Sequence, residues 1–219
     1  MESLTEKWCG KRAGLITLLM IGGYNVIYRI CLEGASNDDV VIRVPCLAMV
    51  QFPDEKTLAE VTTMRYIKDK TDIPVPCVYH YGLSDHSPDI SQFIIMLYIE
   101  NNGSLSVMLN DHKTRPGEIH TSDPNTPEDK LENLYSQMAG YLLQLSQQHF
   151  PLIGPLVVAG QNSYSVASRP ISVNMNNMVQ LANIPPAILP PSDKTYKTAD
   201  EWYIALAEVH ITQRPCFHS

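Results

Sequence analysis

"IGGYNVIYRICLEG", residues 21–34, sets two adjacent glycines between two apolar runs and closes on a further turn signal. Paired glycines cost backbone entropy on folding, so turn geometry or the close approach of another group has to explain them. Two explanations stand side by side: a plain β-hairpin, or a glycine turn bare enough for phosphate oxygens to reach the backbone. On either side, LITLLM (residues 15–20) and VIYRICL (residues 26–32) are both apolar and rich in β-branched residues, as expected of strands flanking a GGYN turn. A polar turn over residues 34–39 leads to VVIRV (residues 40–44), a third strand stopped by Pro45. The chain opens as an antiparallel meander.

From Asp54 the period changes. Leu58, Val61, Met64 and Ile67 recur every third residue, which predicts a helix ending near Lys70 and Thr71. Pro74 and Pro76 then force extended backbone into a short strand, CVYHY (residues 77–81). A polar loop, residues 82–91, precedes FIIMLYI (residues 93–99), a continuous apolar run of the kind a strand covered on both faces requires. Residues 1–100 thus predict an α+β domain, five mostly antiparallel strands with one helix.

Residues 101–219 predict a second, mainly helical part. After a polar, proline-containing stretch at 111–127, Thr126, Pro127, Glu128 and Asp129 supply an N-cap, a first-turn proline and acidic residues; Leu131, Leu134, Tyr135, Met138, Leu142 and Leu145 come next at helical spacing. Residues 150–191 read as loop-rich, with Gly154, Gly160 and several prolines. Thr198 to Glu201 form a capping-box signature for a last helix with the stripe Trp202, Ala205, Leu206 and Val209.

Length and composition bound the function. At 219 residues with 44% hydrophobic side chains, the chain has a real core to build. The apolar run at residues 15–21, like that at 93–99, falls far short of the roughly 20 residues that span a bilayer. Although Lys7, Lys11 and Arg12 precede it, it reads as a strand rather than the core of a signal peptide. A formal charge of −7 disfavours a nucleic-acid partner. The five cysteines, Cys9, Cys31, Cys46, Cys77 and Cys216, are odd in number and contain no Cys-x-x-Cys, so neither a zinc site nor a disulfide framework is signalled and a cytoplasmic setting is expected.

Two charged residues need partners. Arg43 sits mid-strand, on the face opposite to Ile42 and Val44; it either snorkels to solvent or meets an anion. Glu60 falls within the apolar face of the predicted helix; it either reaches back to Thr57 in a capping box or pairs with a cation.

Glycine turn between two strands, cation in strand three, glutamate in the next helix, then two strands: this order resembles the small lobe of the protein-kinase-like fold. GGYNVIYRI, VVIRVP, EVTTMRYIKDKTDIPVPCVYHYG and FIIMLYIE look like the small lobe of the fungal aminoglycoside phosphotransferase-like proteins. FPLIGPL, SRPISVNMNNMVQLANIPP and TADEWYIALAEVHI look like the next stretches of that family, up to a helix of the large lobe. The resemblance covers residues 20 to 211 and implies ATP-dependent phosphoryl transfer to a small-molecule hydroxyl. It implies that Gly22, Gly23 and Asn25 cover the nucleotide phosphates, that Arg43 grips them and that Glu60 holds Arg43. Leu97 and Ile99 would offer backbone groups to adenine behind Met96. Kinases usually carry lysine where Arg43 stands; arginine binds phosphate through a planar fork instead.

The catalytic half of that pattern is missing. None of the seven histidines opens a His-Gly-Asp-like loop, and neither Asp-Phe-Gly nor Asp-x-Asp occurs. The base and magnesium ligands that phosphoryl transfer needs on this fold are therefore expected to be absent, and the chain to be inactive alone, as if cut short before its chemistry. The helices beginning near Leu131 and Trp202 would then expose apolar stripes. Two alternatives remain at this point: a non-catalytic nucleotide- or protein-binding module, and an unrelated α+β domain in which the glycine turn is only a hairpin.

Overall fold

The computed structural model describes residues 1–34, 39–84, 92–101, 103–109, 123–161 and 163–212. Parts of the polar segments expected after Gly34, Gly82 and residue 110, together with Cys216, lie outside the described residues. The chain divides into two compact units, one formed by Met1–Tyr98 with Phe150–Ser219, the other by Ile99–His149. The chain leaves the first unit after Tyr98 and returns to it at Phe150.

In the first unit, α1 (Glu2–Cys9) precedes β1 (Ala13–Ile21), β2 (Asn25–Leu32) and β3 (Val40–Pro45); α2 (Pro53–Lys70) leads to β4 (Val78–Gly82) and β5 (Phe93–Leu97). These five strands form one sheet in the order β1-β2-β3-β5-β4, every neighbour antiparallel. The α+β class and the order of three strands, a helix and two strands are as the residue pattern predicts.

Alternation along β5 explains its unbroken apolar run. Phe93 and Ile95 face one core with Ile30, Val40 and Ile42, while Ile94 and Met96 face another with Val61 of α2. Phe93 to Met96 are all buried. Helix α1, which has no strong sequence signal, covers the first core with Leu4. It is tied to the sheet edge by two carboxylates: Glu2 Oε1 accepts the Leu15 N–H (2.7 Å) and Glu6 Oε1 the Ala13 N–H (3.1 Å). These side chains satisfy edge-strand donors that would otherwise be open to another chain.

Helix α2 starts with Pro53 at its first turn, followed by Asp54 and Glu55, and ends with Lys68 and Lys70, a charge order that complements the helix dipole. Its buried residues are Thr57, Val61 and Thr62. The apolar stripe predicted from Leu58 to Ile67 is therefore rotated, because threonine methyl groups bury as well as aliphatic ones.

The returning segment carries β6 (Leu156–Gly160), β7 (Ser163–Val166), α5 (Val173–Ala182) and α6 (Ala199–Thr212), in a region the sequence pattern reads as loop-rich up to residue 191. Asn174, Asn176 and Asn177 are weak helix formers and blur the stripe of α5; Ser172, whose hydroxyl accepts the Met175 N–H (3.1 Å), and the left-handed Asn183 are the end signals that mark it. Helix α6 begins as its capping signature predicts, Thr198 Oγ1 accepting the Glu201 N–H (3.2 Å). Trp202, Leu206 and Val209 pack against Met175, Met178, Ile184 and Leu189, so this predicted stripe is covered, while Tyr203, Ile204 and Ile211 on other faces are exposed.

Polar contacts bind the return to α2. Arg169, 8% exposed, forks onto Glu55 (Nη2 to Oε1 2.7 Å, Nε to Oε2 3.1 Å) and donates to the Pro190 carbonyl (2.6 Å). Buried Asn176 accepts the Gln51 N–H (2.9 Å) and donates to the Met49 carbonyl (2.9 Å). At Gly154 a Cβ would overlap the Ser168 carbonyl oxygen, so only glycine lets the two backbones pass this closely.

The second unit contains α3 (Leu105–Met108) and α4 (Glu128–Ser146). Thr126, the expected cap of α4, instead donates its hydroxyl to the Asp123 carbonyl (2.8 Å). Helix α4 buries none of its residues, and Tyr135, Leu142 and Leu143 are largely exposed.

Removing Arg169 strands a carboxylate that retains about a third of its exposure, so Arg169→Ala is expected to cost about 2–3 kcal/mol, less than the roughly 3–5 kcal/mol of a fully buried pair; the midpoint of urea unfolding measures it. Tyr164 of β7 donates its hydroxyl to Asp69 of α2. Burial chiefly, with that hydrogen bond and the Asp69 charge, pushes its phenol up to about 12. The folded pKa lies above the unfolded one, so this stabilisation is complete below about pH 10 and lost as pH climbs through about 12. A tyrosinate absorbance titration of the wild type minus Tyr164→Phe should show one phenol ionising well after the bulk.

Candidate functional site

Strand β3 brings Arg43 between Ile27 of β2 and Ile94 of β5 in the sheet register. Its neighbour two positions back, Val41, packs with the Val61, Ile94 and Met96 core, which places Arg43 on the α2 face. Helix α2 presents Glu60 to that face, and Arg43 Nη1 donates to Glu60 Oε1. The capping alternative for Glu60 does not hold: the helix starts a turn earlier, at Pro53, and Thr57 lies inside it with a buried hydroxyl that has no hydrogen-bond partner.

Lys56, one turn before Glu60, completes the cluster. Its ammonium donates to Glu60 Oε2 (3.2 Å) and to Asn25 Oδ1 (3.1 Å), joining α2 to the first residue of β2. The residue pattern does not single out Lys56, although a lysine four positions before a glutamate on one helix face is the signal that could have found it. Two cations thus share one carboxylate, with side chains 22–29% exposed. The guanidinium Nε of Arg43 is buried and has no hydrogen-bond partner.

The glycine turn closes on the same corner. Gly22 N–H donates to the Asn25 carbonyl (2.8 Å). Neither Gly22 nor Gly23 has a left-handed φ. A Cβ at Gly22 would make only ordinary contact with that carbonyl, and one at Gly23 would meet nothing within 4 Å. Neither backbone strain nor packing within the chain demands glycine here.

Of the other residues singled out, Met96 is buried in the core beside Val61. The Leu97 N–H is committed to the Cys77 carbonyl (2.9 Å), leaving at most its carbonyl for a ligand. Ile99 belongs to the second unit, is exposed, and its carbonyl accepts from the Asn101 side chain (3.2 Å). The structure therefore unites Asn25, Arg43 and Glu60 near the glycine turn, with Met96 two positions along β5 from the Arg43 partner Ile94.

Among the described residues no three His, Cys, Asp or Glu side chains converge as a metal-binding group, and no helix is long and apolar enough to cross a membrane. Cys9, Cys31, Cys46 and Cys77 are free thiols.

No protein-family model matches the chain. A curated relative, altered inheritance of mitochondria protein 9, mitochondrial, of Kluyveromyces lactis, is 29% identical over 143 residues, a match covering 63% of this chain. The match spans 21% of that relative's length.

A double-mutant cycle with Arg43→Met and Glu60→Met should return a coupling of about 1 kcal/mol, in the range for contacting, partly exposed charges. Denaturant unfolding of the four proteins measures it. Additive single effects would mean the pair does not hold α2 to the sheet.

Proposed function

We propose that this chain is a kinase-like small lobe with an appended helical segment, related to the aminoglycoside phosphotransferase-like proteins, and that it binds the phosphates of ATP at the Arg43 corner. The observation that carries this is the ion pair between a strand-three arginine and a helix glutamate, far apart in sequence, meeting beside a glycine turn. Three further features support it. The cluster of Arg43, Lys56 and Glu60 holds two positive charges against one negative. The buried Arg43 Nε is a donor without an acceptor, a group whose burial is costly until something pairs with it. The two glycines leave open space on a turn that needs no glycine for its own geometry.

In this reading the turn amides and the Arg43 fork bind and orient phosphate oxygens, Glu60 fixes the fork, and Lys56 fixes Glu60. Bound ATP would bring a transferable phosphoryl group. Phosphoryl transfer to a small-molecule hydroxyl belongs to the family this chain resembles; its base and magnesium ligands are assigned to none of these 219 residues, and the chain alone acts as a binder. The relative's name places that protein in mitochondria, whereas the cysteine pattern here suggests cytoplasm; fractionation of tagged protein decides between them.

Thermal unfolding with ATP tests the site. At about 100-fold excess over Kd, binding adds about 2.7 kcal/mol, a Tm rise on the order of 5–10 °C for a chain of this size. Arg43→Ala should abolish the rise while Gly23→Ala, a change with room for its Cβ within the chain, reduces it. A Tm that ATP leaves unmoved in the wild type would refute the proposal.

A further inference from the structure

Within the first unit, the outward side of α2 and the returning segment line a half-open cavity of about 320 Å³. Phe52, Leu58, Ala59, Leu156, Val157 and Ile171 make its wall predominantly hydrocarbon. That volume lies at the lower end of sites for small organic molecules. None of Gly22, Gly23, Asn25, Arg43, Glu60, Met96, Leu97 or Ile99 lines it; it borders the corner described above through Lys56 and through Tyr24 of the glycine turn.

The charged and amide side chains at this wall are largely committed within the chain. Arg169 and Glu55 neutralise each other in a forked pair. Asn176 uses its carbonyl oxygen on Gln51 and its amide on Met49. A ligand rich in hydroxyls or ring nitrogens would find few polar partners beyond the Tyr24, Ser168 and Ser172 hydroxyls of the lining and would bury most of its polar atoms against carbon, which is unfavourable. Lys56 is the exception. It lines the cavity, two of its three ammonium protons go to Asn25 and Glu60, and the third is available to a ligand. The charge balance points the same way, since Lys56 and Arg43 share the single carboxylate of Glu60 and their trio carries one net positive charge.

We propose that this cavity is a binding site for a small amphiphile, an apolar body of medium-chain size bearing one carboxylate. The hydrocarbon body fills the space between Ala59 and Val157, and the head accepts the remaining proton of Lys56. This inference does not rest on the nucleotide proposal: the two share Lys56, but the ligand is different and its body lies against α2 and the returning segment rather than against Arg43.

Calorimetric titration of the 219-residue chain with octanoate, beside its neutral counterpart 1-octanol, tests it. One octanoate per chain is expected, bound about tenfold more tightly than octanol. Lys56→Gln should weaken octanoate about five- to tenfold and leave octanol unchanged. Ala59→Phe and Val157→Phe, which fill the cavity from opposite walls, should each abolish both; circular dichroism checks that they fold, and if either does not, the Lys56→Gln and octanol comparison decides alone. Equal affinity for octanoate and octanol, several octanoates per chain, or binding that survives both filling variants would overturn the proposal. Displacement of octanoate by ATP, one for one, would also overturn it, by making the cavity part of the phosphate corner.

Discussion

A guanidinium planted in the middle of a strand, between an isoleucine on each neighbouring strand, needs an anion on its own face of the sheet. In this chain Glu60 supplies it, and that fixes how α2 turns about its axis. With Glu60 held against β3, Thr57 and Val61 point to the sheet, and the 3.6-residue period then sends Glu55, Leu58 and Ala59 toward the returning segment. Lys56, a turn before Glu60, is left on the flank where it reaches Asn25. One ion pair thereby sets the core behind α2, the corner beside the glycine turn and one wall of the cavity.

The other wall comes from residues distant in sequence. Glu55 and Arg169 are 114 positions apart, Gln51 and Asn176 125 apart. Closing such loops costs conformational entropy that grows slowly with length, so a few well-formed polar contacts over an apolar patch are enough to hold the return in place. Phe52 serves both sides of this junction, packing with the α5–α6 core and lying under the Arg169 guanidinium. The same junction shields the Arg169 guanidinium from water, which strengthens its half of the forked pair and makes the loss of its partner costly.

Apolar exposure is unevenly distributed. In the first unit the sheet is covered on one face by α1 and on the other by α2, yet α6 still shows Tyr203, Ile204 and Ile211 to solvent. In the second unit α4 presents Tyr135, Leu142 and Leu143. Among the described residues the stripe that makes α4 legible as a helix is thus without a core inside its own unit, whereas the stripe of α6 packs on α5. Helical spacing states which residues share a face and is silent on whether anything covers that face.

The five strands and α2 were legible in the residue pattern, because alternation, period and proline placement are local and the first three strands lie in the order of a meander. Arg43 and Glu60 were legible too, since a charge within an apolar pattern is visible without coordinates. Helix α1, the β6–β7 hairpin and α5 were not, because their stabilisation comes from docking rather than from strong propensity or period. The choice between the two explanations of Glu60 turned on where α2 begins, which its helical period left open. Lys56 as the third member of the corner, and the whole of the cavity, emerged only when the chain was folded. The groups that make the cavity come from segments about a hundred residues apart, and no local pattern records which distant surfaces will meet.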